Sequence, residues 1–189
     1  MSNTIGNRLK VTVFGQSHAG AIGAVVEGLP AGMEIDWDAV RAFLRRRAPG
    51  RSPLSTARRE ADEFEVLSGL NADGRTCGAP VAAVIRNADA RSADYDAFKN
   101  VPRPGHADFA AFAKFGGARD VRGGGQFSGR LTAPLCFAGA LAIQALAERG
   151  VRIGAHIARL AGIDDDAPDP VRPVLPFYDA DGFPTINLE

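Results

Sequence analysis

Three stretches of the sequence hold side chains able to do chemistry. The first is Gly15-Gln-Ser-His-Ala-Gly20, a polar turn flanked by glycines, where backbone can approach a ligand closely. His18 is a candidate proton donor there, because binding and catalytic residues concentrate on loops. Ser17 precedes it, and neighbours in an extended turn point to opposite sides, so a serine–histidine nucleophilic pair is not expected. The second stretch is RRRAPGRSPLSTARR. From Arg41 to Arg59 there are seven arginines and no acid. Guanidinium groups crowded in this way repel one another unless phosphate or carboxylate lies between them, and their planar forks suit those groups. Nucleic acid can satisfy the same pattern, as can a plain solvated basic face. No aromatic is interleaved between Arg45 and Arg59, however, and the whole chain is neutral.

The third stretch runs from Arg103-Pro-Gly-His-Ala-Asp108 through Lys114 and Arg119-Asp-Val-Arg-Gly-Gly-Gly125 to Ser128-Gly-Arg130. Three glycines ahead of a helix can form an anion cradle of backbone N–H groups. The Gly-Lys-Ser/Thr of a nucleotide-binding P-loop is missing. His106, between Gly105 and Asp108, is a second candidate acid; the alternative is a loop that merely wraps the domain. Cys77 and Cys136 have no metal-ligand spacing, so no metal is expected.

The elements that must position these groups read as follows. Leu9 to Phe14 and Ala21 to Glu27 are strands on either side of the histidine turn. Asp36 caps a helix from Trp37, with Val40, Phe43 and Leu44 on one face, which ends at Arg45 to Arg47 before Pro49-Gly50. Glu63 to Leu67 and Ala79 to Ile85 are two further strands, with a turn at Asn71 to Gly74. Residues 86 to 131 show little periodicity, and a loop of that length in a compact domain is commonly functional. Thr132 to Arg149 is the strongest helix, apolar almost all round and therefore expected to be buried. Val151 to Leu160 alternates as a strand. Paired strands followed by helices that pack on them predict an α+β fold.

Composition sets the class. The 189 residues are 46% hydrophobic and 23% charged, as in a folded globular protein. The N-terminus is too polar for a secretory leader, and no apolar run approaches the ~18 residues of a membrane span. Two unclustered thiols fit a reducing compartment. A cytoplasmic protein without membrane or nucleic-acid partners is expected.

Taken together and in order, the three stretches resemble chorismate synthases. NTIGNRLKVTVFGQSHAGAIGAVVEGLPAG is similar to the opening of that family, with Gly-x-Ser-His, a strand and Gly-x-Pro. RRRAPGR and the Arg58-Arg59-Glu60 segment resemble its arginine region. RPGHADFAAFAKFGGARDVRGGG, Arg103 to Gly125, resembles its central segment almost residue by residue. The resemblance implies a β-α-β sandwich, of which this chain makes roughly one half. It implies a lyase that removes phosphate and a proton from 5-enolpyruvylshikimate 3-phosphate by 1,4-anti elimination, giving chorismate. Reduced FMN is the implied cofactor, with NADPH as a possible reductant, and a homotetramer the implied assembly.

By that resemblance His18 protonates the departing phosphate and His106 meets the reduced flavin. A phosphate dianion beside His18 favours the imidazolium form that such a donor needs. Arg46, Arg51, Gln126, Phe127 and Ser128 fall to the cofactor, and Ser17, Arg47 and Arg130 to substrate phosphate. Gln126, Phe127 and Leu131 depart from the family's Arg-Ser-Ser-Ala-Arg-Glu-Thr, and Ala48 resembles a one-residue insertion that shifts the match at Arg51. The resemblance covers residues 1–162; the acidic, proline-rich 163–189 leads towards the C-terminal half present in longer members. An inactive fragment that retains phosphate-ligand binding and a basic RNA-binding module are the alternatives.

Separation from such a half exposes apolar surface on the Thr132 to Arg149 helix. Expressed alone, the chain is therefore expected to be marginally stable or to aggregate. Size-exclusion chromatography and denaturant unfolding check this; a monodisperse, cooperative transition contradicts it.

Overall fold

The computed structural model describes residues 3–48, 61–87, 95, 98, 101–172, 177–178 and 184–186. Five antiparallel strands form its sheet: β1 (Thr4–Ile5), β2 (Lys10–Gly15), β3 (Ala21–Glu27), β4 (Phe64–Ser68) and β5 (Val81–Arg86), in the order β1-β2-β3-β5-β4. Alternation along the strands selects one face for burial. In register, Ile22 pairs with Ile85, Ala24 with Ala83 and Val26 with Val81, and all six side chains are buried. Two helices cover that face: α1 (Trp37–Arg47) and α3 (Thr132–Ala147). A third, α2 (Asp108–Phe115), lies in the chain between the sheet and α3. Helices gathered on an antiparallel sheet make the fold α+β, as expected.

The contact between α1 and α3 has a clear physical basis. Val40 and Leu44 of α1 are buried, and Phe137 of α3, 1% exposed, packs against the rings of both Trp37 and Phe64 at centroid distances of 6.4 and 5.1 Å. Asp36 caps α1 by accepting a hydrogen bond from Ala39 N at 2.9 Å. The Gln144 amide of α3 brackets the same residue, accepting from Asp36 N and donating to Asp36 O at 2.9 and 3.0 Å. The start of α1 is thus fixed by α3, which sets the direction in which its C-terminal arginines emerge.

Four expectations need correction. Residues 86–131 contain a helix, α2, and three 3₁₀ turns at Gly116–Ala118, Gly125–Phe127 and Gly129–Leu131. Val151 to Leu160 is not a strand; only Arg159–Leu160 pairs, with Ile163–Asp164. Helix α3 is not buried all round. Ala133, Pro134, Phe137, Ala138, Ala140 and Leu141 face the sheet, whereas Leu135 is 43% exposed. One layer of sheet can cover only one side of a helix. Lastly, the helical stretch Gly129–Ala147 is by length and composition able to cross a membrane. Its buried inner face explains that composition, since core helices share it.

Candidate functional site

The turn between β2 and β3 is fixed from two sides. Ser17 N donates to Gly125 O at 3.1 Å, and Asn87 N, just beyond β5, donates to Gly20 O at 3.2 Å. The Asn87 amide nitrogen donates to Gln16 O and Ala19 O at 3.1 and 2.8 Å. Inside this frame the chain turns rather than extends, so Ser17 and His18 meet: Ser17 Oγ lies 2.9 Å from His18 Nδ1. The expectation that they point apart is corrected. Ser17 is 2% exposed, and its hydroxyl donates to Arg122 O at 3.2 Å. A hydroxyl has one proton. With that proton on the carbonyl, Ser17 Oγ accepts from Nδ1–H. The pair therefore orients the imidazole and makes no nucleophile. The ring of Tyr95 stands edge-on to His18, with centroids 4.9 Å apart.

Gly123 shows why glycine is required next to the histidine. Its φ is +56°, and a Cβ there would lie 2.6 Å from both His18 Cε1 and Ser17 Oγ. Gly125 has a φ of +53°, and its Cβ would lie 2.9 Å from Asp120 O. These glycines let the loop press against the histidine turn. Two 3₁₀ turns separate them from α3, so they do not form the cradle at a helix N-terminus that the sequence predicts.

Paired charges hold this loop. Arg122 forks onto Asp120, Nε to Oδ1 and Nη2 to Oδ2, both at 2.9 Å. Hydrogen bonds from Arg122, outweighing burial, keep the Asp120 carboxyl below the usual carboxylate range, and the His18 charge adds slightly. Arg103 forks onto Asp108 at 2.8 and 3.1 Å and donates to Gly123 O at 2.5 Å. Its guanidinium stacks 4.9 Å from the Phe98 ring and 5.6 Å from the Tyr95 ring. Hydrogen bonding to Arg103 likewise lowers Asp108. His106 and Ala107 take left-handed φ values of 50° and 57° ahead of α2. His106 is exposed and makes no side-chain hydrogen bond among the described residues. A cleft of about 210 Å³ lies alongside, lined by Gln16, Phe115, Arg119, Asp120, Gln126 and Phe127.

The second part of the site is an arginine pair, Arg130 buried and Arg47 half-buried. Arg47, at the end of α1, reaches Asp62 through Nη1 at 2.5 Å, Thr132 Oγ1 through Nε at 3.0 Å and Gly129 O at 3.4 Å. Arg130 Nη1 donates to the other oxygen of Asp62, and Arg130 Nε to Asn87 Oδ1 at 3.2 Å. The side chains of Asp62 and Arg130 are 0% and 3% exposed. Among the described residues, two guanidinium groups share this one carboxylate, each engaging a different oxygen.

Part of the arginine run is thus neutralised by acids outside it. Arg41 pairs with Asp38 at 3.2 Å, whereas Arg46 lies over the Phe43 ring at 4.6 Å. Arg51 lies outside the described residues, with Arg58 and Arg59. Ser128 Oγ accepts from Arg130 N at 3.2 Å, which helps aim that arginine. Gln126, Ser128 and Thr132 rim an open hollow of about 310 Å³, lined by Ile5, Val11, Val13, Leu131 and Leu135. Phe127 is 41% exposed beside it.

The structure thus brings His18 and Ser17 together, and separately Arg47 and Arg130, with Asn87 touching both groups. Sequence reasoning missed Asp62, Asn87 and Tyr95. Asp62 stood as one of three acids after the arginine run, and its left-handed φ of 53° leaves no mark on composition. Among the described residues no group of three His, Cys, Asp or Glu can hold a metal ion. Burial pushes the Cys136 thiol up, against the influence of Arg47 and Arg46, so it is a poor ligand or nucleophile.

Comparison with known proteins supplies a family. The model of the family described as chorismate synthase matches residues 9–181. The chain is 47% identical over 165 residues to the chorismate synthase of Lancefieldella parvula, covering 87% of this chain and 43% of the relative. It is 47% identical over 161 residues to that of Methanosarcina mazei, covering 85% and 44%. The enzyme of Aeropyrum pernix is 45% identical over 162 residues, covering 86% and 42%. A crystal structure of chorismate synthase superimposes with a TM-score of 0.57 at 26% identity, covering 81% of this chain and 38% of that one. The chain spans less than half the length of the curated relatives it matches.

The site's electrostatics make two predictions. Asp62→Ala leaves the buried Arg130 and the half-buried Arg47 without their shared carboxylate and should cost about 3–5 kcal/mol of stability, read by denaturant unfolding. Asp108 and Asp120 are held below their unfolded values, so the stability they contribute is present above the unfolded carboxylate pKa and lost as pH falls through the folded one. Hydrogen exchange should show the 103–125 loop opening on acidification below about pH 4, before the sheet.

Proposed function

The chain belongs to the chorismate synthase family, and on that premise we propose that it carries the proton-donating and anion-holding part of a lyase site. The substrate is 5-enolpyruvylshikimate 3-phosphate and the product chorismate. The reaction breaks the carbon–oxygen bond to phosphate and removes a proton across the diene that forms. The observation that carries this reading is His18 with Nδ1 occupied by Ser17, on a turn joined through Asn87 to the Arg47–Asp62–Arg130 cluster.

Arg47 and Arg130 attract the substrate phosphate, whose oxygens suit their planar donors. A dianion near His18 in turn favours the imidazolium. Nε2–H then gives its proton to the departing phosphate oxygen, which makes phosphate the better leaving group, while Ser17 Oγ keeps the ring oriented. Arg46 and Arg51 are placed by resemblance at a nucleotide phosphate.

The apolar hollow rimmed by Gln126, Ser128 and Thr132 fits a flat aromatic ring system with a polar edge. Reduced FMN, when bound there, supplies transient electron density to the elimination and no net redox change. Gln126, Ser128 and Leu131 would hold it, and Phe127 and His106 are assigned to the flavin by resemblance alone. NADPH as reductant, a homotetramer and a cytoplasmic location complete the proposal; two free cysteines support a reducing compartment.

The test is an anaerobic assay of the 189-residue chain with reduced FMN and 5-enolpyruvylshikimate 3-phosphate, with and without the C-terminal half of a longer relative. Chorismate should form in at least one arrangement, and His18→Ala should lower kcat by about 10²–10⁴. No chorismate in either arrangement overturns the reading; phosphate-ligand binding without turnover would then leave an inactive binding fragment.

A further inference from the structure

The geometry points to Asn87 as a positioning residue that holds His18 and Arg130 in one frame. Asn87 directly follows β5, and its backbone N–H extends the sheet's hydrogen bonding onto Gly20 O at 3.2 Å. Its side chain then uses both ends at once. Nδ2 donates to Gln16 O and Ala19 O, the two carbonyls that flank Ser17 and His18, at 3.1 and 2.8 Å. Oδ1 accepts from Arg130 Nε at 3.2 Å. Two carbonyl acceptors demand the NH₂ end and a guanidinium demands the oxygen, so the partners themselves settle the orientation of the amide.

Few side chains can replace it. Aspartate offers no donor to the two carbonyls, serine has a single proton, and glutamine is one methylene longer. A purely structural amide in this turn needs only the two carbonyls and solvent. Here the oxygen is committed instead to a guanidinium already bound to Asp62, with a 3% exposed side chain. Any anion that pulls on Arg130 is therefore felt at the histidine turn through a chain of direct hydrogen bonds. The other groups facing that turn are Tyr95 by its ring edge, Asp120 by its charge, and Arg122 through its carbonyl. Among these described neighbours Asn87 is the one with a hydrogen bond to Arg130.

This inference rests on the reading of His18 as proton donor beside an arginine-held phosphate. The experiment is an NMR titration of the His18 imidazole in the 189-residue chain, with and without inorganic phosphate. The resonance is assigned with His18→Gln among the three histidines of the chain, and calorimetry gives phosphate affinity. In the unmodified chain phosphate should raise the midpoint of the His18 titration. In Asn87→Ala, affinity for phosphate should fall by no more than about threefold, because Arg47, Asp62 and Arg130 remain, while the phosphate-induced rise should shrink to about half or less. Asn87→Leu, close in shape and uncharged, removes the donors and the acceptor, should lose the same coupling and serves where the alanine variant does not fold. A full rise in either folded variant, even at a lowered Tm, shows a merely structural amide and overturns the inference. No rise in the unmodified chain overturns the reading of His18 itself, and the inference with it.

Discussion

A carboxylate without solvent contact, shared by two arginines from distant parts of the chain, is the constraint around which this structure is arranged. Asp62 cannot be buried as an anion unless both its oxygens are engaged, and neither arginine can be buried beside the other without it. Arg47 arrives at the end of α1 and Arg130 just before α3, so their meeting depends on how those helices pack. The Gln144 bracket on Asp36 and the mutual contact of the Phe137, Trp37 and Phe64 rings fix that packing. Core and site are therefore one problem: the apolar contacts choose the helix positions, and the helix positions bring the charges together. Such a triad contributes little net stability compared with apolar residues of equal volume. Its retention makes sense where guanidinium groups held at a fixed place are themselves the purpose.

The loop from Arg103 to Gly125 answers a different requirement. It has few buried apolar side chains, Ala111 being the exception within α2, so hydrophobic burial cannot hold it. Ion pairs within the loop do so instead, Arg103 with Asp108 and Arg122 with Asp120, together with Ser17 bonding to Gly125 O and Arg122 O. Both carboxylates are stabilised as anions by hydrogen bonds more than by bulk field, and charge-assisted forks of this kind fix angles as well as distances. Glycine at position 123 then allows contact with the imidazole that any Cβ would prevent.

Much of the framework was legible in the sequence because it is local. The alternation of β3, the Asp36 cap and the spacing of Val40 and Leu44 each act within a few residues. Helix α2 escaped detection because Ala107, in a left-handed conformation, stands at its N-cap without a capping side chain. Val151 to Leu160 alternates as a strand should, yet only its last two residues pair. At the site, residue types pointed to His18 and the arginines, whereas their arrangement did not follow from sequence. Asp62 lies 68 residues from Arg130 and Asn87 lies 43 from it. Side chains whose role is to join distant elements leave no periodic trace. The Ser17–His18 contact was missed for a related reason, since alternation holds in an extended segment and fails in a turn pinned at Gln16, Ala19 and Gly20.

Helix α3 shows how composition can report more structure than one sheet supplies. Its inner face, Ala133, Phe137, Ala140 and Leu141, meets the sheet. Its outer positions, Leu135, Gly139, Ala142, Ile143 and Leu146, are just as free of charge, and all retain some exposure. A helix at the edge of a two-layer fold carries a polar outer stripe, because solvent there selects charged residues. Apolar residues on both faces belong to a helix between two layers. The described residues supply one five-stranded sheet, its helices and two two-stranded ribbons, so no second large sheet is present among them. The open hollow beside Ile5 and Leu135 lies on that same outer side, so the surface that composition reserves for a further layer adjoins the surface that fits a planar cofactor.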